Sequence, residues 1–151
     1  MARLNGLPSL KGLQTMPDNS KTVAETLLSL ALTAQKNAYA PYSNFHVGAA
    51  ILDENGNNHA GCNVENAAYP LGQCAEAGAI STMVVSGCKQ IQQILILSPN
   101  NQFCPPCGGC RQKIAEFSNS ETQVHLATQD GKIKSVNSAE LLPLAFGFDK
   151  N

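Results

Sequence analysis

Two short cysteine-containing segments constrain this chain more than any other feature: Cys74-Ala75-Glu76 and Pro106-Cys107-Gly108-Gly109-Cys110. Each is predicted to begin a helix, where unpaired backbone amides and partial positive charge favour the thiolate form of cysteine. Cys107 and Cys110 are three residues apart, so one helical turn places both sulfurs on the same side. Three thiolates match the preference of zinc for soft ligands in tetrahedral geometry. The fold is therefore expected to bring these two helix starts together around a zinc ion.

Glu76 separates a catalytic zinc site from a structural one. Three thiolates leave a fourth position, which a side chain fills in a structural site and water fills in a catalytic site. Glu76 lies two positions after a proposed ligand and within reach of such a water. A metal combined with a carboxylate proton carrier is a hydrolytic arrangement. A structural site that recruits Cys104, Cys62 or a histidine as fourth ligand remains the alternative, and it would leave Glu76 without a role.

The segment that begins at Cys104 contains two overlapping C-x-x-C pairs. Cys104 and Cys107 could be a redox pair or metal ligands, and so could Cys107 and Cys110. We favour the second pair as ligands. The two prolines after Cys104 make its approach extended, whereas the two glycines before Cys110 let the backbone come close to a metal.

The remaining cysteines and the histidines are expected to be structural. Free cysteine usually behaves as a small buried hydrophobe, which is the interpretation for Cys62 and Cys88. The three histidines have no partner at ligand spacing and are expected to be structural or surface residues: His46, His59 and His125. Residues 1–20 contain no signal-peptide core, and no apolar run is long enough to span a membrane. A cytoplasmic protein is predicted, in which clustered cysteines indicate metal binding or catalysis.

Charge and aromatic content disfavour a nucleic-acid substrate. The 151 residues carry a net charge of -1, with 5% aromatic residues and no tryptophan. Proteins that hold a nucleic-acid strand need basic and aromatic residues along a groove. Only 14% of the residues are charged, which hints that partner subunits cover part of the surface.

The hydrophobic pattern predicts a single α/β domain. Helices are predicted over residues 21–39, 74–86, 107–117 and 138–142, and strands over 46–52, 58–64, 93–97, 122–127 and 132–136. Thr22 and Glu25 fit a capping box, Pro41 is expected to end the first helix, and Ser138 is expected to cap the last. The order predicts one mixed five-stranded sheet with helices on both faces. Residues 1–20 are expected to form a leader or partly ordered arm, and residues 21–151 the domain.

The chain resembles the homotetrameric cytidine deaminases over about three quarters of its length, from Tyr39 to Phe148. A lone Cys-Ala-Glu would be a weak signal, but here several segments occur in order. They are Pro41-Tyr42-Ser43-Asn44-Phe45, Val47-Gly48-Ala49-Ala50, Gly61-Cys62-Asn63-Val64-Glu65-Asn66, Tyr69-Pro70-Leu71-Gly72, the two cysteine segments with Arg111-Gln112, and near the C-terminus Leu141-Leu142-Pro143 and Phe146-Gly147.

The resemblance implies a fold, a reaction and a set of roles. The fold is the three-layer cytidine deaminase fold, and the reaction is hydrolysis of cytidine or 2′-deoxycytidine to the uridine product and ammonia, in pyrimidine salvage. One zinc per subunit is implied, held by the three cysteines, with Glu76 carrying protons. The matched substrate residues are Asn63 and Glu65 for the sugar, Phe45 and the backbone of Ala75 for the base, and Tyr69 and Phe146 for a neighbour's site in a homotetramer.

One departure from the family pattern concerns charge. The position after the glutamate is often Arg in this family and is Ala77 here. A cation near three thiolates would make the metal a stronger Lewis acid. Arg111, directly after Cys110, could compensate; the alternative is a surface arginine or one paired with a carboxylate.

Other functions are possible. A deaminase of a nucleoside antibiotic would share the zinc segments. A non-catalytic zinc module or a nucleoside-binding protein would lack turnover.

Overall fold

The computed structural model describes residues 22–148. The predicted N-terminal arm, residues 1–20, lies outside these residues. The elements in chain order are α1 (Val23–Gln35), β1 (Gly48–Asp53), β2 (Asn58–Cys62), a 3₁₀ turn (Tyr69–Leu71), α2 (Ala75–Val85), β3 (Ile91–Leu97), α3 (Gly108–Glu116), β4 (Gln123–Ala127), β5 (Ile133–Asn137) and α4 (Ser138–Leu141).

The five strands form one mixed sheet in the order β2-β1-β3-β4-β5. β3 and β4 are parallel, and α3 lies in the connection between them, as a parallel crossover requires. The other neighbouring pairs are antiparallel. The predicted fold class is confirmed.

Alternate residues of the central strands face opposite helical layers. On β3, Leu95 and Leu97 pack in the cluster that contains Leu27 of α1. Ile94 and Ile96 face the other way, into the cluster built by α2 and α3. Because side chains alternate along a strand, the near-continuous apolar run of β3 is what allows it to be buried on both faces.

The first helix has the predicted capping box but is shorter than predicted. Thr22 Oγ1 accepts the backbone N–H of Glu25, and the Glu25 carboxylate accepts that of Thr22. The helix ends at Gln35 rather than near Pro41. Tyr39 is extended because its backbone bonds to Asn63 and Glu65, at 3.0 and 2.8 Å. This long-range pairing, which overrides the helical pattern, also fixes the backbone of the predicted sugar-binding residues.

The β1–β2 hairpin turns at the predicted Asn-Gly, and Gly56 has a φ of 83° there. Both strands differ from prediction by about two residues, since β1 starts at Gly48 and β2 stops at Cys62. After Cys62 the chain leaves the ladder, and Val64 pairs with Gln73 instead. The residues predicted to end the second strand therefore form a loop beside the start of α2.

Two glycines permit unusually close packing of helices on the sheet. A Cβ added to Gly48 would lie 2.0 Å from the carbonyl oxygen of Ala31 in α1. A Cβ added to Gly61 would lie 2.2 Å from the backbone nitrogen of Ala79 in α2. Only glycine leaves room for backbones this close. The second contact sets the position of α2 and therefore of the residues at its start.

The last helix is present, but the predicted cap is wrong. Asn137, not Ser138, occupies the cap position, and its side chain accepts the backbone N–H of Ala139. Glu140 completes the capping box by accepting the backbone N–H of Asn137. Ser138 is the first helical residue, because the strand before it ends one residue later than expected.

Candidate active site

Helices α2 and α3 begin close together, and a cysteine occupies the cap position of each. Cys74 precedes α2 and Cys107 precedes α3, and neither helix has a side-chain cap hydrogen bond. The first amides of both helices therefore lack an intrahelical partner and direct partial positive charge at the two sulfurs. Cys110 follows one turn into α3 and is buried.

The three predicted ligands come together. The sulfurs of Cys74, Cys107 and Cys110 all lie within 4.8 Å of one another, and those of Cys74 and Cys107 are 3.9 Å apart. Two sulfurs on one tetrahedral zinc, each bonded at about 2.3 Å, are separated by about 3.8 Å. The donor set and the spacing therefore fit zinc.

Hydrogen bonding among the sulfurs favours the thiolate form of Cys74. The thiol of Cys110 donates to the sulfur of Cys74, which lowers the pKa of Cys74 to about 6. The same hydrogen bond, together with burial, raises the pKa of Cys110. Cysteine binds a metal as the thiolate, so a low pKa at Cys74 favours the metal-binding form.

Glu76 lies in the first turn of α2 and is 4% exposed. It borders a cavity of about 190 Å³ beside the cysteines. Its carboxylate accepts no hydrogen bond from a residue within 22–148. The cavity is lined by Phe45, Val47, Asn63, Cys74, Ala75, Glu76, Cys104, Pro105 and Cys107. Phe45, Asn63, Ala75 and Glu76, which were all predicted to belong to the site, thus share one cavity with two of the three predicted zinc ligands, Cys74 and Cys107.

Asn63 and Glu65 both bond to the loop that carries Phe45. The side chain of Asn63 accepts the backbone N–H of Val47 at 2.8 Å and donates to the carbonyl of Phe45 at 2.7 Å. The carboxylate of Glu65 accepts the backbone N–H groups of Tyr42 and Ser43. A hydrogen bond from the Ser43 hydroxyl is the largest influence lowering the pKa of Glu65, so the carboxylate is ionised at neutral pH.

Arg111 contacts backbone carbonyls. Its Nε donates to the carbonyl of Pro106 at 2.9 Å, and its Nη1 donates to that of Leu141 at 3.2 Å. The guanidinium therefore connects the residue before Cys107 to α4. It pairs with no carboxylate among residues 22–148, and Ala77 is buried in the α2 layer. The guanidinium is therefore not paired with a carboxylate in this part of the chain, and its charge-balancing role stays a prediction.

Comparison with known proteins agrees with this site. The family model described as "Cytidine and deoxycytidylate deaminase zinc-binding region" matches residues 21–126. This chain belongs to the cytidine and deoxycytidylate deaminase family. Zinc is therefore the metal of this region, and the family is one of zinc-dependent hydrolases.

Individual deaminases match most of the chain. A cytidine deaminase of Sporosarcina psychrophila is 41% identical over 122 residues, covering 81% of this chain and 90% of the relative. A cytidine deaminase of Mycobacterium tuberculosis is 36% identical over 119 residues, covering 79% and 86%. The crystal structure of cytidine deaminase from Burkholderia pseudomallei superposes with a TM-score of 0.78 at 36% identity, over 83% of this chain and 100% of that one.

Three residues implied by the family resemblance, Glu65 and two aromatic residues, do not line the cavity beside Glu76 in this deaminase domain. Tyr69 is 78% exposed and borders a separate cavity of about 360 Å³ with Glu65. Phe146 is 71% exposed, and its carbonyl accepts a hydrogen bond from the Gln112 side chain of α3. Neither aromatic residue lines the cavity beside Glu76 within a single chain.

No helix in the stretch 22–148 is long and apolar enough to cross a bilayer.

A second cluster of potential ligands lies at the hairpin end of the domain and was not predicted. Asp53, His59 and Cys88 are all buried with their ligand atoms within 4.8 Å. His59 Nε2 lies 2.6 Å from Asp53 Oδ2, whereas nitrogen and oxygen ligands of one tetrahedral zinc lie about 3.3 Å apart. The Asp53 carboxylate also accepts the backbone N–H groups of Asn55 and Asn57. These hydrogen bonds stabilise the hairpin turn, and we call them the lock at Asp53. The predicted burial of Cys88 is confirmed.

Proposed function

We propose that this chain catalyses the hydrolytic deamination of cytidine and 2′-deoxycytidine. Water oxygen joins C4 of the ring, the bond between C4 and the amino nitrogen breaks, and uridine or 2′-deoxyuridine leaves with ammonia. One observation carries the proposal: a nearly buried carboxylate, Glu76, shares a small cavity with a three-cysteine cluster that fits zinc. The relatives named cytidine deaminase support the substrate.

In this proposal Cys74, Cys107 and Cys110 hold the zinc. Bound there, zinc supplies a Lewis acid that lowers the pKa of water. The chain contributes the three sulfurs, the partial positive charge of two helix starts, and a pocket that shields the reacting atoms from bulk solvent. Arg111 is proposed to support the loop before Cys107 and to place a cation near the thiolates.

Glu76 is proposed to carry protons during the reaction. Its carboxylate takes a proton from the attacking water and delivers it to ring N3. It then takes the remaining proton from the hydroxyl on C4 and passes it to the departing amino group, so that C4 becomes a carbonyl and the leaving group is neutral ammonia. A carboxylate that accepts no hydrogen bond from residues 22–148 is free to make these exchanges without breaking a structural contact.

The nucleoside is proposed to lie between the start of α2 and the loop around residue 45. Phe45 packs against the pyrimidine, and the free backbone N–H of Ala75 at the helix start bonds to the base. Asn63 has one amide hydrogen left to donate, and Glu65 has one lone pair left to accept, on Oε1. A sugar hydroxyl can satisfy both, which gives selectivity for a nucleoside over the free base.

We further propose a homotetramer in which Tyr69 and Phe146 complete a neighbouring subunit's site. Both aromatic rings are exposed in the single chain, as are Leu71 and Phe148 nearby in sequence. Such side chains are ordinary in an interface and costly in water. Light scattering of the purified protein measures its oligomeric state, and a monomer with full activity would refute the proposed tetramer.

The cytoplasm, where thiols stay reduced, is the proposed location.

Ammonia release from cytidine, with the accompanying loss of ultraviolet absorbance, tests the main proposal. Glu76→Gln is expected to retain zinc and thermal stability while losing at least ~100-fold in kcat, because its amide cannot carry a proton. Glu121→Gln, an exposed carboxylate far along the chain, is the matched control. An active Glu76→Gln variant would overturn the proton route. Zinc binding without any ammonia release by the wild type would indicate a non-catalytic module, and release only from a nucleoside antibiotic would indicate the related deaminase.

A further inference from the structure

The hydroxyl group of Ser43 lies between two groups of the proposed nucleoside site. It donates a short hydrogen bond to Glu65 Oε1. It also accepts the backbone N–H of Phe45 at 3.0 Å. Because Glu65 is an acceptor only when ionised, the direction of both bonds is determined. One hydroxyl thus connects the sugar-binding carboxylate to the residue that packs on the base.

The hydrogen bonds of Glu65 show which oxygen remains available. Oε2 accepts the backbone N–H of Tyr42 at 2.8 Å and that of Ser43 at 3.2 Å, which uses both of its lone pairs. Oε1 accepts only the Ser43 hydroxyl and keeps one lone pair. A sugar hydroxyl must therefore donate to Oε1, the oxygen whose orientation Ser43 controls.

Phe45 does not depend on Ser43 alone. Its carbonyl accepts the side-chain amide of Asn63 at 2.7 Å, and the next strand residue, Val47, donates its N–H to the same side chain. These two bonds hold the loop from the other side. Loss of the Ser43 hydroxyl is therefore expected to release Oε1 of Glu65 while Phe45 stays in place.

We infer that Ser43 is a positioning residue for sugar recognition: it orients Glu65 Oε1 so that its free lone pair meets a hydroxyl of the nucleoside sugar. This inference rests on the proposed deaminase function. Ser43 itself touches neither the base nor the reacting atoms. Its effect appears only with substrates whose sugar carries the recognised hydroxyl. The hydrogen bond from Ser43 also keeps the pKa of Glu65 low, so the carboxylate stays an acceptor at neutral pH.

The test compares Ser43→Ala with the wild type on two substrates, cytidine and 2′,3′-dideoxycytidine. For cytidine, loss of a hydrogen bond to a charged group is expected to reduce kcat/KM about 10- to 100-fold, mainly through KM. For the dideoxy substrate, kcat/KM is expected to change less than about 3-fold, because this sugar lacks the 2′- and 3′-hydroxyls, one of which is the hydroxyl that Glu65 accepts, and keeps only the 5′-hydroxyl. Where its turnover is too slow, its inhibition constant against cytidine replaces kcat/KM.

Two further variants separate positioning from loop structure. Ser43→Thr keeps a hydroxyl and is expected to restore most of the cytidine activity. Asn44→Gly is the matched control. Asn44 has a φ of 56°, a left-handed backbone conformation that glycine adopts easily, so this variant is expected to leave kcat/KM for both substrates unchanged. Zinc content and thermal stability of every variant are expected to match the wild type.

The outcomes are distinct. If Ser43→Ala lowers kcat/KM equally for both substrates, or does not lower it for cytidine, the inference is overturned and the deaminase function is left intact. A wild type that releases no ammonia from cytidine would overturn the proposed function itself.

Discussion

Replacing Gly61 by alanine tests whether the contact between β2 and α2 sets the metal site. The added Cβ would lie 2.2 Å from the nitrogen of Ala79, 2.6 Å from the carbonyl oxygen of Ala75 and 2.7 Å from the carbonyl carbon of Gly78. All three are backbone atoms, so no side chain can rotate away. Ordinary contact begins near 3.4 Å, and the helix must therefore retreat by roughly 1 Å from the strand.

That displacement has two measurable consequences. Overpacking of this kind costs about 1–3 kcal/mol, which lowers the Tm of a chain this size by roughly 3–10 °C. The start of α2 would also move relative to α3 and disturb the 3.9 Å spacing of the Cys74 and Cys107 sulfurs. Zinc affinity is therefore expected to fall together with stability, as measured by thermal unfolding and by metal analysis after dialysis against a chelator.

Gly78, directly opposite in α2, provides the matched control. A Cβ there would lie 3.5 Å from the nearest atoms, at ordinary contact distance. Alanine is a better helix former than glycine, so Gly78→Ala is expected to raise stability by about 0.5–1 kcal/mol without loss of zinc. If Gly61→Ala keeps the wild-type Tm and zinc content, the close contact does not position the site.

Three further predictions concern other parts of the molecule. Cys104→Ser is expected to keep about one zinc per chain by metal analysis while Cys107→Ser loses it; equal loss would make Cys104 a ligand. Arg111→Ala is expected to lower kcat/KM or zinc affinity about 10- to 100-fold, because the carbonyl of Pro106 loses its hydrogen-bond donor. Lys89→Ala is expected to change neither quantity. An Arg111→Ala variant with wild-type kcat/KM and zinc affinity would show that Arg111 does not support the loop before Cys107. Burial raises the pKa of Asp53, but hydrogen bonds from Cys88, His59 and the turn outweigh it, and the net pKa is well below normal. The resulting stabilisation is present above the unfolded-state pKa near ~4 and is lost as pH falls further. Denaturant unfolding is therefore expected to show wild type more stable than Asp53→Asn by about 1–3 kcal/mol at pH 7, with the difference shrinking below pH ~4. A difference that stays constant with pH would contradict this.

Local sequence patterns were sufficient to predict most elements and the metal cluster. The cysteine spacing in α3 is set by one helical turn, and the capping box at Thr22 and the turn at Gly56 depend only on neighbouring residues. The proximity of Cys74 and Cys107 was also predictable, because three cysteines at two helix starts match the ligand set of one tetrahedral zinc. Such features are local or chemically forced.

The errors have a common physical cause, which is pairing between distant segments. The first helix ends early because Tyr39 bonds to the backbone of Asn63, a contact invisible in the helical pattern. The roles of Ser43 and of the lock at Asp53 depend in the same way on residues that come together only in the fold. Phe146 is exposed and does not line the cavity beside Glu76, so its proposed role in a neighbouring subunit's site stays a prediction.

The two cysteines at the starts of α2 and α3 also have a consequence for folding. They lie 33 residues apart in sequence, on elements with β3 between them. A metal that joins them closes a loop much as a disulfide does, and a cross-link of that length removes about 4 kcal/mol of chain entropy from the unfolded state. The catalytic centre thereby also acts as a cross-link that stabilises the packing of α2 against α3. Metal supply during synthesis would then govern how much folded protein accumulates, and not only how active each molecule is.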